Sequence, residues 1–124
     1  MKFQMLAAGG GSIVNVGSIY GRSVALLRRD AYTASKHGIV GLTRSVAQEY
    51  AAQNIRINAV SPGVVRTALT DLNPARTATF AQGNSLKRIA EPEELANVIT
   101  FCLSDEASFM IGAEVIVDGG FTLR

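Results

Sequence analysis

A tyrosine and a lysine four residues apart, in Tyr32-Thr33-Ala34-Ser35-Lys36, can do proton chemistry if the segment is helical. At that spacing the two side chains share one helix face, one turn apart. A fixed positive charge beside a phenol favours the phenolate. Such a tyrosine can give a proton to a carbonyl oxygen or take one from an alcohol. Ser18 stands fourteen residues before Tyr32, just past a β-branched apolar run. Its hydroxyl can therefore be delivered from a strand end. Taken singly, each residue has a plainer role: an aromatic at a helix start, a solvated charge and a turn former. The set as a whole favours the catalytic reading.

Three strands and two long helices must position these residues. Residues 12–16, Ser-Ile-Val-Asn-Val, read as a short buried strand, and 17–30 as a loop. From 31 to about 53 the pattern is helical, with Ile39, Leu42, Val46 and Tyr50 recurring on one side. Residues 55–60 form the second strand, stopped by Ser61-Pro62-Gly63. Residues 64–90 read as irregular or weakly helical, with Pro74 and Gly83 as breakers. Glu91-Pro92-Glu93-Glu94 opens a helix that ends near Ser104. Residues 114–117 are the third strand, followed by an Asp118-Gly119-Gly120 turn. Strands apolar on both faces, alternating with helices, indicate a parallel α/β sheet. Three strands are few for that class, and the first leaves an uncharged edge prone to association. The chain reads as one partial parallel α/β domain over residues 1–124.

Composition narrows the function. The 124 residues are 48% apolar and 18% charged, as in a globular domain. A net charge of +2, without a basic stripe interleaved with aromatics, argues against nucleic-acid binding. No apolar run is long enough for a membrane span, and residues 1–8 lack the apolar region of a signal peptide. The chain reads as cytoplasmic. The single Cys102 excludes an internal disulfide and sits in an apolar helical pattern, where a buried inert thiol is expected. No metal-ligand spacing occurs. Gly9-Gly10-Gly11 precedes a strand, whereas a phosphate-binding glycine loop follows one, so it reads as a helix-to-strand turn.

Gly11-Ser12-Ile13-Val14-Asn15-Val16-Gly17-Ser18, Tyr32-Thr33-Ala34-Ser35-Lys36, Asn58-Ala59-Val60-Ser61-Pro62-Gly63 and Val117-Asp118-Gly119-Gly120 come in an order and spacing that resembles the short-chain dehydrogenase/reductase superfamily. The resemblance runs end to end but corresponds to the family's C-terminal half. It implies the C-terminal half of a Rossmann-like, doubly wound parallel sheet, with three parallel strands and flanking helices. It implies Tyr32 as acid/base, Lys36 as the lysine that bonds the nicotinamide ribose, and Ser18 as the holder of the substrate oxygen. By the same resemblance Tyr32, Lys36, Pro62, Gly63, Val65 and Thr67 contact the cofactor, NAD or NADP. The Val65 backbone would meet the carboxamide. The expected partners are a small carbonyl or alcohol substrate and further copies of the chain. The family's glycine loop and catalytic asparagine belong upstream, and Met1 reads as an internal methionine of a longer chain. Tyr20, Arg22, Leu26, Leu27, Arg28 and Arg29 would flank the substrate. The arginines suit an anionic substrate, but a solvated face is the plainer reading.

The leading function is hydride transfer between a nicotinamide cofactor and a carbonyl/alcohol pair. The alternatives are a non-catalytic remnant or interaction module, and a subunit completed by a separate cofactor-binding chain.

Overall fold

The computed structural model describes residues 2–22 and 28–123. Helix α1 (Lys2–Ala7) turns through Gly9 and Gly10, both at positive φ, into strand β1 (Gly11–Val16). The glycine triple is thus a helix-to-strand turn. A short 3-10 turn, Ile19–Gly21, follows Ser18. Helix α2 (Asp30–Tyr50) carries Tyr32 and Lys36 in its first two turns, and strand β2 (Ile55–Pro62) returns beside β1. Helices α3 (Ala68–Asp71) and α4 (Pro74–Gly83) come next, then α5 (Pro92–Leu103) and strand β3 (Glu114–Val117).

The sheet runs β1-β2-β3 with both pairings parallel, Ile13 opposite Ile57 and Val60 opposite Val115. This is the three-stranded parallel arrangement that the alternating pattern predicts. Alternation along the strands supplies two cores. Ile13, Ile55 and Ile57 pack on Ala47 and Val46 of α2. Val14, Val60 and Val115 pack on Leu95, Val98 and Cys102 of α5. Cys102 is fully buried, and burial pushes its thiol up against the pull of Arg56. That fits an inert core thiol.

The largest departure from the sequence reading lies in 64–90. Pro74 does not break a helix but opens one. Asn73 caps α4 by accepting from the Arg76 N–H at 3.0 Å, and Pro74 takes the first position, where its missing N–H costs nothing. Gly83 is the last helical residue rather than an interruption. Strand β2 also runs two residues further than expected, through Ser61 and Pro62. No described helix is long and apolar enough to cross a membrane.

Candidate active site

Strand β1 ends at Val16, and its carbonyl points to α2. The Lys36 Nζ donates to Val16 O at 2.9 Å, and the same Nζ lies 5.7 Å from the centroid of the Tyr32 ring. The helical spacing of the two residues thus becomes a tyrosine face with an ammonium beside it. Two residues on, Ser18 is buried, and its hydroxyl accepts from the Tyr20 N–H at 3.2 Å, capping the 3-10 turn. That turn seats directly on α2. A Cβ at Gly21 would strike the Lys36 carbonyl oxygen and carbon, so only glycine permits this approach. The turn that Ser18 caps is therefore seated on the helix that carries Tyr32 and Lys36. The position of Gly21 was not foreseen from sequence, because the need for it comes from a helix turn fifteen residues later.

Buried polar groups hold this corner. Glu114 on β3, whose side chain is 3% exposed, accepts from Ser61 Oγ at 2.9 Å. It also faces Arg44 of α2 at 3.4 Å and Arg22 at 3.8 Å, just beyond the serine turn. The carboxylate ties β2, β3, α2 and the turn together. Asn15 donates from Nδ2 to the Thr43 hydroxyl on α2 at 2.9 Å. Asn58 serves backbone, donating to Met110 O and accepting from the Ala113 N–H. The exposed His37 donates from Nδ1 to Thr33 O at 2.9 Å, away from the lysine.

Tyr32 is 41% exposed and forms part of one wall of a cleft of about 540 Å³. Tyr20 and Arg29 share that wall, while Leu69, Leu72, Arg76 and Phe80 of the α3–α4 region supply the other. Burial pushes the Tyr20 phenol up, with Arg76 pulling it the other way. Ser18 and Lys36 do not line the cleft. Leu26 and Leu27, expected to flank it, lie outside the described residues. The α3–α4 wall was missed because 64–90 read as irregular, although Asn73-Pro74 carried the signal.

The remaining predicted cofactor residues follow β2. Pro62 closes the strand, and Gly63 donates to Val117 O at 2.9 Å. The space beside Gly63 is filled by Asp118, whose Cα would lie 3.0 Å from an added Cβ. Val65 makes an isolated parallel bridge to Ala90. The bridge uses its neighbours' groups, Arg66 N–H to Ala90 O and Ala90 N–H to Val64 O. The Val65 N–H and C=O have no backbone partner among the described residues. Thr67 forms a reciprocal cap with Thr70, and its hydroxyl oxygen accepts there, leaving the hydroxyl hydrogen to donate elsewhere. Asp118 is a turn residue, as expected. Burial tends to raise its carboxyl, but hydrogen bonds from Thr122 and from the Gly120 and Phe121 backbone outweigh this and hold it below the usual carboxylate range.

The sequence model of the enoyl-(acyl carrier protein) reductase family matches residues 2–122. The chain belongs to the short-chain dehydrogenase/reductase superfamily. It is 50% identical over 119 residues to cis-4-hydroxycyclohexanecarboxylate dehydrogenase of Sinomonas cyclohexanicum, covering 95% of this chain and 47% of that protein. It is 44% identical over 120 residues to cyclohexanol dehydrogenase of Acinetobacter sp. (strain SE19), covering 97% and 47%. Among solved structures, 4-hydroxyisoleucine dehydrogenase complexed with NADH superposes with a TM-score of 0.85 at 38% identity, covering 92% of this chain and 48% of that one. L-sorbose reductase from Gluconobacter frateurii, complexed with NADPH and L-sorbose, gives 0.91 at 30% identity, covering 100% and 52%. This short-chain dehydrogenase/reductase chain spans about half the length of the curated relatives it matches.

Proposed function

We propose that this chain carries the catalytic residues of an oxidoreductase that interconverts a secondary alcohol and a ketone with NAD or NADP. The observation that carries the reading is the Lys36 ammonium, fixed to the end of β1 beside the Tyr32 ring, with Tyr32 on the wall of an open cleft. Two similar proteins are named for alcohols on a cyclohexane ring, and an alicyclic alcohol is the substrate body proposed here.

The Val65 N–H and C=O match the acceptor and donor of a carboxamide, so the nicotinamide end of the cofactor fits this chain. Lys36 and Thr67 would hold the adjoining ribose and phosphate. When bound, the nicotinamide supplies or accepts the hydride. The chain's own residues do the rest. The Tyr32 hydroxyl exchanges the proton with the substrate oxygen. Lys36, tied to the Val16 carbonyl, keeps a positive charge beside the Tyr32 ring. Ser18, at the base of the same turn, would share its hydroxyl between the Tyr20 N–H and the substrate oxygen. A second copy of the chain is proposed to cover apolar surface left open around the sheet, where Val16 on the β1 edge is 50% exposed.

The test joins this chain to the N-terminal half of the Sinomonas relative and follows NAD(P)-dependent oxidation of cyclohexanol. Tyr32→Phe removes only the proton-carrying hydroxyl, and turnover should fall by about 10²–10⁴-fold with the melting temperature unchanged. Near-normal turnover in that variant would sink the assignment of Tyr32.

A further inference from the structure

The walls of the Tyr32 cleft hold two arginines, Arg29 and Arg76, and these differ from most others in the chain. Arg22 and Arg44 face Glu114, Arg66 faces Glu91 and Asp71, and Arg88 faces Glu94. Arg56 is inserted among backbone carbonyls. Among the described residues, neither Arg29 nor Arg76 has a carboxylate partner. The Arg76 guanidinium lies 5.4 Å from the Phe80 ring centroid, and that contact orients its planar fork. Beside it the cleft presents Leu69 and Leu72, which are 78% and 80% exposed. Two cations with no acid partner among the described residues, in a cleft that also presents Leu69, Leu72 and Phe80 beside Thr70, Asn73 and Thr77, make an uncompensated site. A molecule with an apolar body and one anionic end would complete it.

We propose that the substrate carries a carboxylate, held between Arg76 and Arg29 from the two walls of the cleft, on an apolar body whose alcohol carbon reacts at Tyr32. The proposal rests on the oxidoreductase reading and names its substrate class as hydroxy or keto acids. A guanidinium fork matches a carboxylate with two parallel hydrogen bonds. The leucine and phenylalanine surfaces cover the body and exclude water, which strengthens the ion pair. Arg29 lies three residues before Tyr32, at the start of the same helix, so carboxylate binding and alignment of the reacting carbon share one rigid element. A neutral alcohol of the same shape would keep the apolar contacts and lose the anchor.

Arginine modification by phenylglyoxal, mapped by peptide mass spectrometry, tests this on the chain whatever its state of association. Cyclohexanecarboxylate is the probe and cyclohexanecarboxamide its neutral match. At about ten times its dissociation constant, the carboxylate should slow modification of Arg29 and Arg76 about tenfold and leave Arg28 and Arg44 unchanged. The carboxamide should protect neither. Arg76→Gln should remove most of the protection at Arg29, and Arg29→Gln most of that at Arg76. Tyr32→Phe should keep it all. Equal protection by the two ligands, protection spread over all arginines, or none, overturns the carboxylate site. Selective protection together with no turnover in the joined enzyme counts against the oxidoreductase reading alone. Turnover without selective protection counts against the carboxylate site alone.

Discussion

Lys36 shows how far a spacing argument reaches. Four residues from Tyr32 on a helix, it had to share the phenol's face, and it does so 5.7 Å from the ring centroid. The spacing could not give the anchor on the far side, the Val16 carbonyl, because that contact joins the helix to a strand twenty residues earlier. Gly21 belongs to the same class of residue. Its requirement is set by the backbone of Lys36, against which any side chain would collide. Gly21→Ala should lift the serine turn from α2. The overpacking should cost about 1–3 kcal/mol of stability, read as a lower urea midpoint. In the joined enzyme, turnover should fall along with it as the Ser18 turn shifts on α2. An alanine variant with unchanged midpoint and rate would show that the turn does not depend on this contact. Arg29 and Arg76 were hard to single out for a different reason. An arginine in a loop or on a helix looks the same whether it has a partner or not, and only the structure shows which ones lack an acid.

Among the elements, the long amphipathic helix and the β-branched strands were legible, because burial imposes periods of 3.6 and 2 on their residues. Helices α3 and α4 were not, because their apolar residues face a cleft rather than a core and show no clear stripe. Arg56 was legible only as part of a strand. It projects from β2 to the C-terminal end of α5, where Nη1 donates to Cys102 O and Ala107 O at 3.0 and 2.9 Å, and Nη2 to Leu103 O and Ser104 O at 3.3 and 2.8 Å. The carbonyls at a helix end lack partners within the helix, and their combined dipole favours a cation. One guanidinium serves three carbonyls at the end of α5, plus that of Ala107 in the 3-10 turn after it, and pins α5 to the sheet. Its partners stand 46 to 51 residues later, beyond any local pattern. Arg56→Met keeps the stem and removes the donors, and should destabilise the fold by about 2–4 kcal/mol in urea unfolding. Arg56→Lys should recover only part, since one ammonium cannot reach all four carbonyls. A methionine variant as stable as the parent would show that water serves these carbonyls equally well.

On the proposed reading, the chain as a whole joins Tyr32, Lys36 and Ser18 to a partial cofactor site. The parallel three-stranded sheet was readable from sequence because its strands are apolar on both faces and alternate with helices, as the two cores require. The cleft was not, since its walls come from α2 and the α3–α4 region, which are brought together only by the fold. The groups proposed here for a dinucleotide all belong to its nicotinamide end: Tyr32, Lys36, the Val65 backbone and Thr67. Each neutral hydrogen bond nets about 1 kcal/mol, and one to a charged group somewhat more. Ordering a ligand of this size costs at least about 4 kcal/mol before any contact counts. Dinucleotide affinity in such folds draws heavily on the pyrophosphate, held by backbone N–H groups of a glycine loop at a helix N-terminus. The first strand-to-helix connection here leads instead through the Ser18 turn, which is seated on α2 and caps itself with its own serine. Titration of NADH or NADPH into the 124-residue chain should therefore give no saturable change in cofactor fluorescence below millimolar concentration. Joining the Sinomonas N-terminal half should bring binding into the micromolar range, and Lys36→Met in that joined protein should weaken it by about tenfold, the loss of one charged hydrogen bond. Micromolar binding by the 124 residues alone would mean that the Val65 groups and Lys36 contribute far more than their hydrogen bonds predict.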